Sequence, residues 1–350
     1  MKCITGDKWL RVTGYWLMVI GLLLITGCSS DSTGTGEQRT DNTASFLQVM
    51  PYVANYQEGG SLMRAAVSAG YTEYTPAHDI VIGLYVLKNG EPVDNTVKLI
   101  SYSNHDWHSQ TTVEKGVSYT IYGFMPKKEP ISSSISKSGD VATLTLSNIG
   151  TVCADDICFI TGVKDSDGDL DQGQFGYTGK TSGNFIRLLL DHLFASVKFN
   201  FTVDTDYSKL RTIKLKSLKL STTTAPVTAT ITLTPNTTDA YPASVAYTTS
   251  AGASTATFFE SEDGEAIPTT NTDFICCFAP SASNTMTLVT TYDVYDSKGN
   301  LIRKDCEATN KLPDLEAQRG WQVTLNLKVS PTYLYQLSEP DLDNPTITIN

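Results

Sequence analysis

The chain has 350 residues, a formal net charge of −11 at pH 7 and only 18% charged residues. An acidic chain lacks the basic surface that binds nucleic acid or anionic lipid, so we expect neither as a partner. Threonine, serine, tyrosine and valine are abundant, which favours β-strands over helices. The length suffices for two domains of ordinary size.

The first 28 residues predict export. Three basic residues precede an apolar run over residues 15–26, which is shorter than the roughly 20 residues needed to cross a bilayer and typical of a signal-peptide core. Small residues then precede Cys28. Residues 1–27 therefore resemble a bacterial lipoprotein signal, after which Cys28 becomes the lipidated first residue. The alternative is an ordinary cleaved signal with a cysteine there by chance.

The following residues predict a tether and a first strand. Residues 28–43 are small and polar, typical of a flexible tether with nothing to bury. A short apolar stretch over 46–53 is predicted as a strand, followed by a glycine-containing loop that leads to Arg64. We place this stretch at the start of an N-terminal β-sandwich domain, 44–180. A polar, glycine-rich loop over residues 165–180 would separate it from a C-terminal β-sandwich domain, 181–350.

Short strand signals fill the rest of the chain. Asn89-Gly90 follows a β-rich run and predicts a tight hairpin. The apolar phase of the strand over 213–220 slips at Ser217-Leu218, as a β-bulge would cause. Further alternating or hairpin-forming runs occupy 117–124, 142–146, 197–203, 227–233, 286–295, 301–306 and 321–329. The apolar run over 188–195 reads either as one short turn of helix or as a buried strand. The sum predicts an all-β fold with strands at sandwich-like spacing.

Three motifs together resemble the fimbrillin family, the lipoprotein-derived type V pilins of Gram-negative anaerobes. They are the lipidation motif at Cys28, the Arg-Ala-Ala at 64–66, and the Leu-x-His-x-x-Ala-x-Val-x-Phe pattern over 190–199. The resemblance covers nearly the whole chain in layout. It implies two β-sandwich domains of transthyretin-like topology, and a structural subunit of a cell-surface pilus that serves adhesion. It also implies an outer membrane lipoprotein, carrying acyl chains such as palmitate, that later becomes part of a fimbria.

The resemblance further implies assembly by strand exchange with other pilin subunits. An Arg-specific protease would cut between Arg64 and Ala65, which removes the first strand and loop, 44–64, together with the lipid that holds the chain to the outer membrane. A strand from the next subunit then fills the groove. The tail, 331–350, is a candidate donor, with alternating apolar residues at Tyr333, Tyr335, Leu337, Ile347 and Ile349. The alternatives are that Arg64 is a plain surface arginine and that the tail is a fixed strand of its own domain.

Five cysteines remain after the signal and Cys28 are set aside, an odd number that indicates no paired framework. We expect them to be buried free thiols. Cys276 and Cys277 are adjacent in an apolar strand, so their side chains should point to opposite faces, with at most one facing the core. The five are Cys153, Cys158, Cys276, Cys277 and Cys306.

Candidate metal ligands are few. The carboxylates that alternate as in calcium loops are Asp165, Asp167, Asp169 and Asp171. Leu170 stands at the sixth loop position, where glycine is expected, and Gly176 at the twelfth, where glutamate is expected. A solvated acidic loop is therefore the competing interpretation.

Histidine and cysteine pairs give no stronger metal signal. His105 and His108 are three residues apart and would share a metal only on a turn. His192 lies in an apolar run, which favours a core histidine. Cys153 and Cys158 lack the second pair that a structural zinc site needs.

No motif predicts an enzyme. The sequence has no glycine-rich phosphate loop after a strand and no Gly-x-Ser-x-Gly elbow, so we expect no catalytic residue and no cofactor. A surface-anchored lipoprotein that binds glycans or host molecules without polymerising is the main alternative, although only Trp107 and Trp321 remain after signal removal. A secreted β-sandwich hydrolase is a third hypothesis, which needs a carboxylate pair in a cleft.

Overall fold

A computed structural model describes residues 44–58, 70–92, 97–165, 172–235, 241–270, 272–282, 285–315, 317–333 and 340–349. The predicted signal peptide, Cys28 and the tether lie outside these residues. The described residues form β-strands and two short 3-10 helices, Tyr207–Lys209 and Pro280–Ala282, with no α-helix among them. The prediction of an all-β fold is confirmed. No helix in the described part of the chain has the length and apolar character needed to cross a membrane.

The strands follow one another with short connections. The first twelve are β1 (Ala44–Phe46), β2 (Gln48–Ala54), β3 (Gln57–Glu58), β4 (Tyr71–Glu73), β5 (Ile80–Lys88), β6 (Glu91–Pro92), β7 (Lys98–Ser103), β8 (Asp106–Ser109), β9 (Thr112–Glu114), β10 (Ser118–Met125), β11 (Ser132–Ser138) and β12 (Val141–Ile149). The others are β13 (Val152–Cys153), β14 (Cys158–Asp165), β15 (Gly176–Thr178), β16 (Phe185–His192), β17 (Ala195–Val203), β18 (Arg211–Leu233), β19 (Ala243–Ala266), β20 (Thr272–Phe278), β21 (Thr287–Asp296), β22 (Leu301–Lys311), β23 (Trp321–Tyr333) and β24 (Pro340–Ile349).

Three large sheets carry the fold. Sheet A has the order β4-β2-β16-β14-β10-β5-β7-β8, with β15 beside β10 and β6 beside β5. Sheet B has the order β11-β12-β18-β21-β22, with β19 beside β18. Sheet C has the order β13-β20-β17-β23-β24, with β3 beside β23. The short strands β1 and β9 form a separate pair.

Two hydrophobic cores lie between these sheets. The first core packs sheet A, with Phe124 and Phe159, against one end of sheet B, and the second packs sheet C, with Phe199, against the other end. The long strand β18 serves both cores, since Leu215 lies in the second and Ile231 in the first. The first core therefore draws on chain from both sides of residue 180, and the two sandwiches are not built from consecutive halves of the sequence.

Strand β20 lies where both cores meet. Cys276 is fully buried in the second core and Cys277 is 2% exposed in the first. The prediction that at most one of them faces a core is wrong, because each face of this strand meets a core of its own. The prediction of buried free thiols is confirmed for four of the five cysteines, and Cys153 is half-buried.

Several local predictions are also confirmed. Asn89 and Gly90 both have positive φ, 51° and 88°, as the tight turn between β5 and β6 requires. The register of β18 shifts between Leu215 and Ser217 against both neighbouring strands, which is the predicted bulge. The run over 188–195 is strand and not helix, since it belongs to β16 and the start of β17.

Candidate functional site

The segment Ala44–Glu58, hereafter the N-terminal segment, pairs with strands at several separate places in the fold. Its strand β1 pairs with β9, β2 pairs with β16 and β3 pairs with β23. The pairings of β2 and β3 are parallel, whereas most neighbouring strands are antiparallel. One short stretch of chain thus bridges sheets A and C.

Burial of two apolar side chains fixes the segment. Leu47 is fully buried and Val49 is 6% exposed, both in the first core, while the adjacent Phe46 is 62% exposed. Burying a side chain of this size contributes about 1.5–3 kcal/mol. The segment is therefore an integral part of the first core.

Backbone pairing holds β2 on both of its edges. Residues 48–53 pair with 185–190 of β16, and residues 52–54 pair with 71–73 of β4. Pro51 has no N–H to donate, but its carbonyl accepts a hydrogen bond from the Tyr74 N–H at 2.9 Å. The predicted cleavage position, Arg64 and Ala65, falls between β3 and β4 and lies outside the described residues.

His192, at the end of β16, lies under the N-terminal segment. Its Nε2 is 2.6 Å from the Ala54 carbonyl oxygen, and its ring stacks on Tyr56 with centroids 3.6 Å apart. On the other side, its Nδ1 is 2.7 Å from Asp156 Oδ2 and 3.7 Å from Cys158 Sγ. The prediction of a buried, hydrogen-bonded histidine is thus met by contacts that also involve the segment.

This arrangement differs from a nucleophilic Cys-His-Asp triad. In a triad the nucleophile and the acid bond opposite nitrogens of the imidazole, whereas Cys158 and Asp156 both approach Nδ1 and Ala54 occupies Nε2. Burial raises the pKa of the Cys158 thiol well above its usual value, which keeps the sulfur protonated. The geometry therefore suits binding better than acyl transfer.

Asp191, next to His192, is the centre of a second buried polar group. Its carboxylate accepts hydrogen bonds from the hydroxyls of Tyr71, Tyr241 and Thr161. The Arg319 guanidinium lies 3.9 Å away and covers the Tyr241 ring at 4.8 Å. Burial, and then the Asp191 charge, raise the pKa of both phenols, so both remain donors at neutral pH. This group links β4 to β14 and β16 independently of the pairing with β2.

The tail forms an edge strand of its own chain. In β24, Ile347 pairs with Val329 and Ile349 with Leu327, and Ile347 is buried in the second core. Tyr333 ends β23 opposite Pro340, whereas Tyr335 and Leu337 lie outside the described residues. Of the two interpretations of the tail, the described structure has the one in which it pairs with its own domain.

Among the described residues, the remaining candidate ligands do not converge. Asp165 is paired with Lys180, with the Nζ 2.8 Å from its Oδ1, while Asp167, Asp169 and Asp171 lie outside the described residues. His105 and His108 are both exposed at the hairpin between β7 and β8.

One set of three metal-ligating side chains comes together within the described residues, and it is Asp156, Cys158 and His192. Sequence reasoning missed it because Cys158 and His192 are 34 residues apart and become opposite partners only through the register of β14 and β16.

Trp107 and Trp321, the two tryptophans outside the predicted signal peptide, are both half-buried. Trp107 packs against Tyr102 with ring centroids 5.0 Å apart, and Trp321 starts β23. They lie on different sheets, Trp107 in sheet A and Trp321 in sheet C.

Comparisons with known proteins give structural likenesses at low identity. No protein-family model and no curated protein matches the sequence. A candidate cell adhesion protein from Bacteroides uniformis is 11% identical with a TM-score of 0.41, over 89% of this chain and 99% of its own. A fimbrial protein from Bacteroides vulgatus is 12% identical with a TM-score of 0.37, over 87% and 98%. A fimbrial anchor protein from Porphyromonas gingivalis is 11% identical with a TM-score of 0.22, over 87% and 97%.

Proposed function

We propose that this chain is a subunit of cell-surface fimbriae that serves adhesion, exported as an outer membrane lipoprotein through Cys28. Cleavage between Arg64 and Ala65 would remove the N-terminal segment and the lipid together, and a strand of another subunit would take the place of β2. The observation that carries the proposal is the parallel docking of β2 beside β16, by a segment joined to the rest of the fold through the predicted cleavage loop.

The physics of the docked strand supports exchange. Loss of the N-terminal segment would leave unpaired those backbone donors and acceptors of β16 that face β2 along residues 185–190, and would empty the space of Leu47 and Val49 in the first core. Unpaired buried backbone groups and core cavities are both costly. A foreign strand with apolar residues at matching alternate positions would repair both defects, which is the basis of β-strand addition.

The decisive experiment treats the lipidated full-length chain with an Arg-specific protease. We expect Ala65 as the new N-terminus, followed by SDS-resistant ladders on gels of unheated samples. An R64A variant should give neither result. An R64K variant should resist the Arg-specific enzyme but form ladders with a Lys-specific one, which separates the effect of cleavage from any effect of the substitution on folding.

Two outcomes would contradict the proposal. Native protein on the cell surface with Cys28 as its N-terminal residue, and no ladder after cleavage at Arg64, would favour the anchored lipoprotein that does not polymerise. If a C28S variant still incorporated a palmitate label, lipid attachment at Cys28 would be contradicted, whereas assembly by strand exchange would not. The protease and labelling arms thus test assembly and anchoring separately.

A further inference from the structure

The side chains Asp156, Cys158 and His192 form a compact set of unlike donor atoms under the N-terminal segment. Their ligand atoms, one oxygen, one sulfur and one nitrogen, all lie within 4.8 Å of one another. Cys158 is fully buried and the His192 side chain is 4% exposed, whereas that of Asp156 is 32% exposed. The set is therefore enclosed on two sides and reachable from solvent through the aspartate.

A second observation marks the site as incomplete without a ligand. The other carboxylate oxygen of Asp156, Oδ1, is buried and has no hydrogen-bond partner among the described residues. An unpaired buried carboxylate oxygen is costly unless a cation or a donor compensates it. A cation held by the Asp156 carboxylate, the Cys158 sulfur and the His192 nitrogen would compensate the charge of this carboxylate.

The three ligand atoms, within 4.8 Å of one another, need only small shifts to surround a tetrahedral metal ion. With metal bonds of about 2.0–2.3 Å, ligand atoms in a tetrahedral zinc site lie roughly 3.2–3.7 Å apart. Cys158 Sγ and His192 Nδ1 are 3.7 Å apart, within this span. The 2.7 Å between Nδ1 and Asp156 Oδ2 is a hydrogen-bond distance, so this pair would open by about half an ångström when a metal replaces the shared proton.

The N-terminal segment supplies the outer contacts that a metal-binding histidine uses. The Ala54 carbonyl lies 2.6 Å from Nε2, where it accepts the N–H of that nitrogen, so Nδ1 is the nitrogen that faces Cys158 and Asp156. Tyr56 stacks on the ring and holds its plane. Metal-ligating histidines are commonly oriented in this way by a backbone carbonyl.

We infer that Asp156, Cys158 and His192 bind one borderline divalent transition metal ion, Zn²⁺ above all, with a water molecule in the fourth position and the N-terminal segment as the roof of the site. Thiolate, imidazole and carboxylate together are typical zinc ligands and unlike the all-oxygen sets that hold calcium. Binding releases the thiol proton of Cys158 and the proton shared by His192 Nδ1 and Asp156 Oδ2 to solvent, with no redox step.

The site would couple metal binding to the state of the segment, and this part rests on the proposed function. Zinc should hold His192 in the form that donates to Ala54, and so resist departure of β2. Removal of the segment should conversely weaken zinc binding, because binding free energies are reciprocal. A zinc-loaded subunit would then release its segment more slowly after cleavage than a zinc-free one.

The test of the site uses the intact exported chain with Zn²⁺ for stoichiometry and Co²⁺ as a spectroscopic probe. We expect one zinc per chain, and a cobalt complex with thiolate charge-transfer absorption and a tetrahedral visible spectrum. C158S should lower zinc affinity by at least about 100-fold and abolish the charge-transfer band. C306S removes a buried thiol from the second core and should leave both unchanged.

Controls keep the result interpretable. Near-UV circular dichroism of C158S confirms the native packing, and D156N, which keeps the side-chain volume, should weaken zinc binding without loss of fold. Y56A should lower zinc affinity about tenfold through loss of the ring contact. Absence of stoichiometric zinc, or equal binding by C158S, would overturn the site. Unchanged binding by Y56A would overturn the role of the segment, whatever happens at Arg64.

Discussion

Cys276 and Cys277 are neighbours in β20 and yet lie in different hydrophobic cores, Cys276 in the second and Cys277 in the first. Successive side chains of a strand point to opposite faces, so β20 separates the two cores at this point. Tyr56 of the N-terminal segment reaches the same place, with its hydroxyl 3.4 Å from Cys277 Sγ. Tyr56 therefore contacts both the strand that separates the two cores and the ring of His192.

Native thiols should resist alkylation. Burial raises the pKa of Cys158, Cys276 and Cys277 well above the usual range, and raises the pKa of Cys153 to about 12. A raised pKa keeps each thiol protonated until the pH rises to that value, so little reactive thiolate is present near pH 8. In native, zinc-free protein we expect iodoacetamide to leave these four cysteines unmodified, and in urea to label all of them, as read by peptide mass spectrometry.

Rapid native labelling of Cys277 would contradict its placement in the first core. Cys306, at the rim of the second core with 8% exposure, provides the internal comparison and should react before Cys158, Cys276 and Cys277, which are at most 2% exposed. Cleavage at Arg64 followed by loss of the segment should uncover Cys277, since Tyr56 then no longer covers it.

The adjacent residues Leu47 and Phe46 should differ sharply in their effect on the N-terminal segment. L47A removes a fully buried side chain from the first core and should lower the free energy of unfolding by about 2–4 kcal/mol. F46A alters a side chain that is 62% exposed and should change it by less than about 0.5 kcal/mol. Urea unfolding of both variants measures the difference, and equal effects would show that the segment is not packed as described.

After cleavage at Arg64, the same pair of variants reports on release. L47A should speed dissociation of the segment, measured by gel filtration of the cut protein, while F46A should match the parent. Slower or unchanged release from L47A would mean that backbone pairing with β16 and β4, and not core packing, limits departure of the strand.

Turn chemistry and alternation predicted those elements whose signal is local. The tight turn requires positive φ, which Asn89 and Gly90 adopt readily, so this pair predicts the hairpin. The slip in apolar phase near Ser217 predicts the bulge. Strand β23 follows from the strict alternation that begins at Trp321. In each case neighbouring residues alone determine the backbone conformation.

Partner choice was not predictable in the same way. A period-2 pattern shows which face of a strand is buried but not which strand lies beside it, so the parallel pairing of β2 with β16 has no local signature. The meeting of His192 with Cys158 depends on the register of β14 and β16, including a shift between Ile160 and Gly162. The metal-ligating set therefore emerges only when the strands are placed.

Gly123 and Gly176 form a matched pair in sheet A. A Cβ added at Gly123 would collide with the carbonyl oxygen of Gly83 on the neighbouring strand β5, whereas one added at Gly176 would meet no atom of the described residues within 4 Å. G123A should therefore force β10 and β5 apart and lower the free energy of unfolding by more than about 2 kcal/mol. G176A should be nearly neutral, and a similar loss in both variants would contradict the described strand approach.

The Asp191 group should behave as a coupled unit. D191A would leave the Arg319 guanidinium, 20% exposed, without its carboxylate, and deprive Tyr71 and Tyr241 of an acceptor. We expect a loss of about 2–4 kcal/mol in the free energy of unfolding, partly recovered in a D191A/R319M double variant.

The half-exposed pair of Asp273 and Lys198 supplies the control for this cycle. D273A should cost less than about 1 kcal/mol, as partly exposed ion pairs usually do. If D191A costs no more than D273A, the carboxylate does not organise the buried group. Full additivity of D191A and R319M would likewise show that the two residues act independently.

The two interpretations of the tail, a fixed strand of its own domain and a donor strand for another subunit, predict different effects of a substitution at Ile347. In the described structure Ile347 is 4% exposed in the second core, the Tyr207 hydroxyl donates to the Leu342 carbonyl at 2.7 Å, and Arg211 Nη2 lies 2.7 Å from Asp343 Oδ1. A strand held in this way should contribute to its own domain, so I347A should lower the free energy of unfolding of the monomer by about 2–4 kcal/mol. T348A, on the exposed face of the same strand, should change it by less than about 0.5 kcal/mol.

If I347A leaves the monomer as stable as the parent but abolishes the ladders that follow cleavage at Arg64, the tail acts as a donor and β24 is only its resting position. If it destabilises the monomer while ladders persist in mixtures with parent subunits, β24 is a fixed strand and this chain accepts a strand without donating one. Denaturant unfolding and gel analysis of the same two variants therefore separate a donating subunit from one that only accepts.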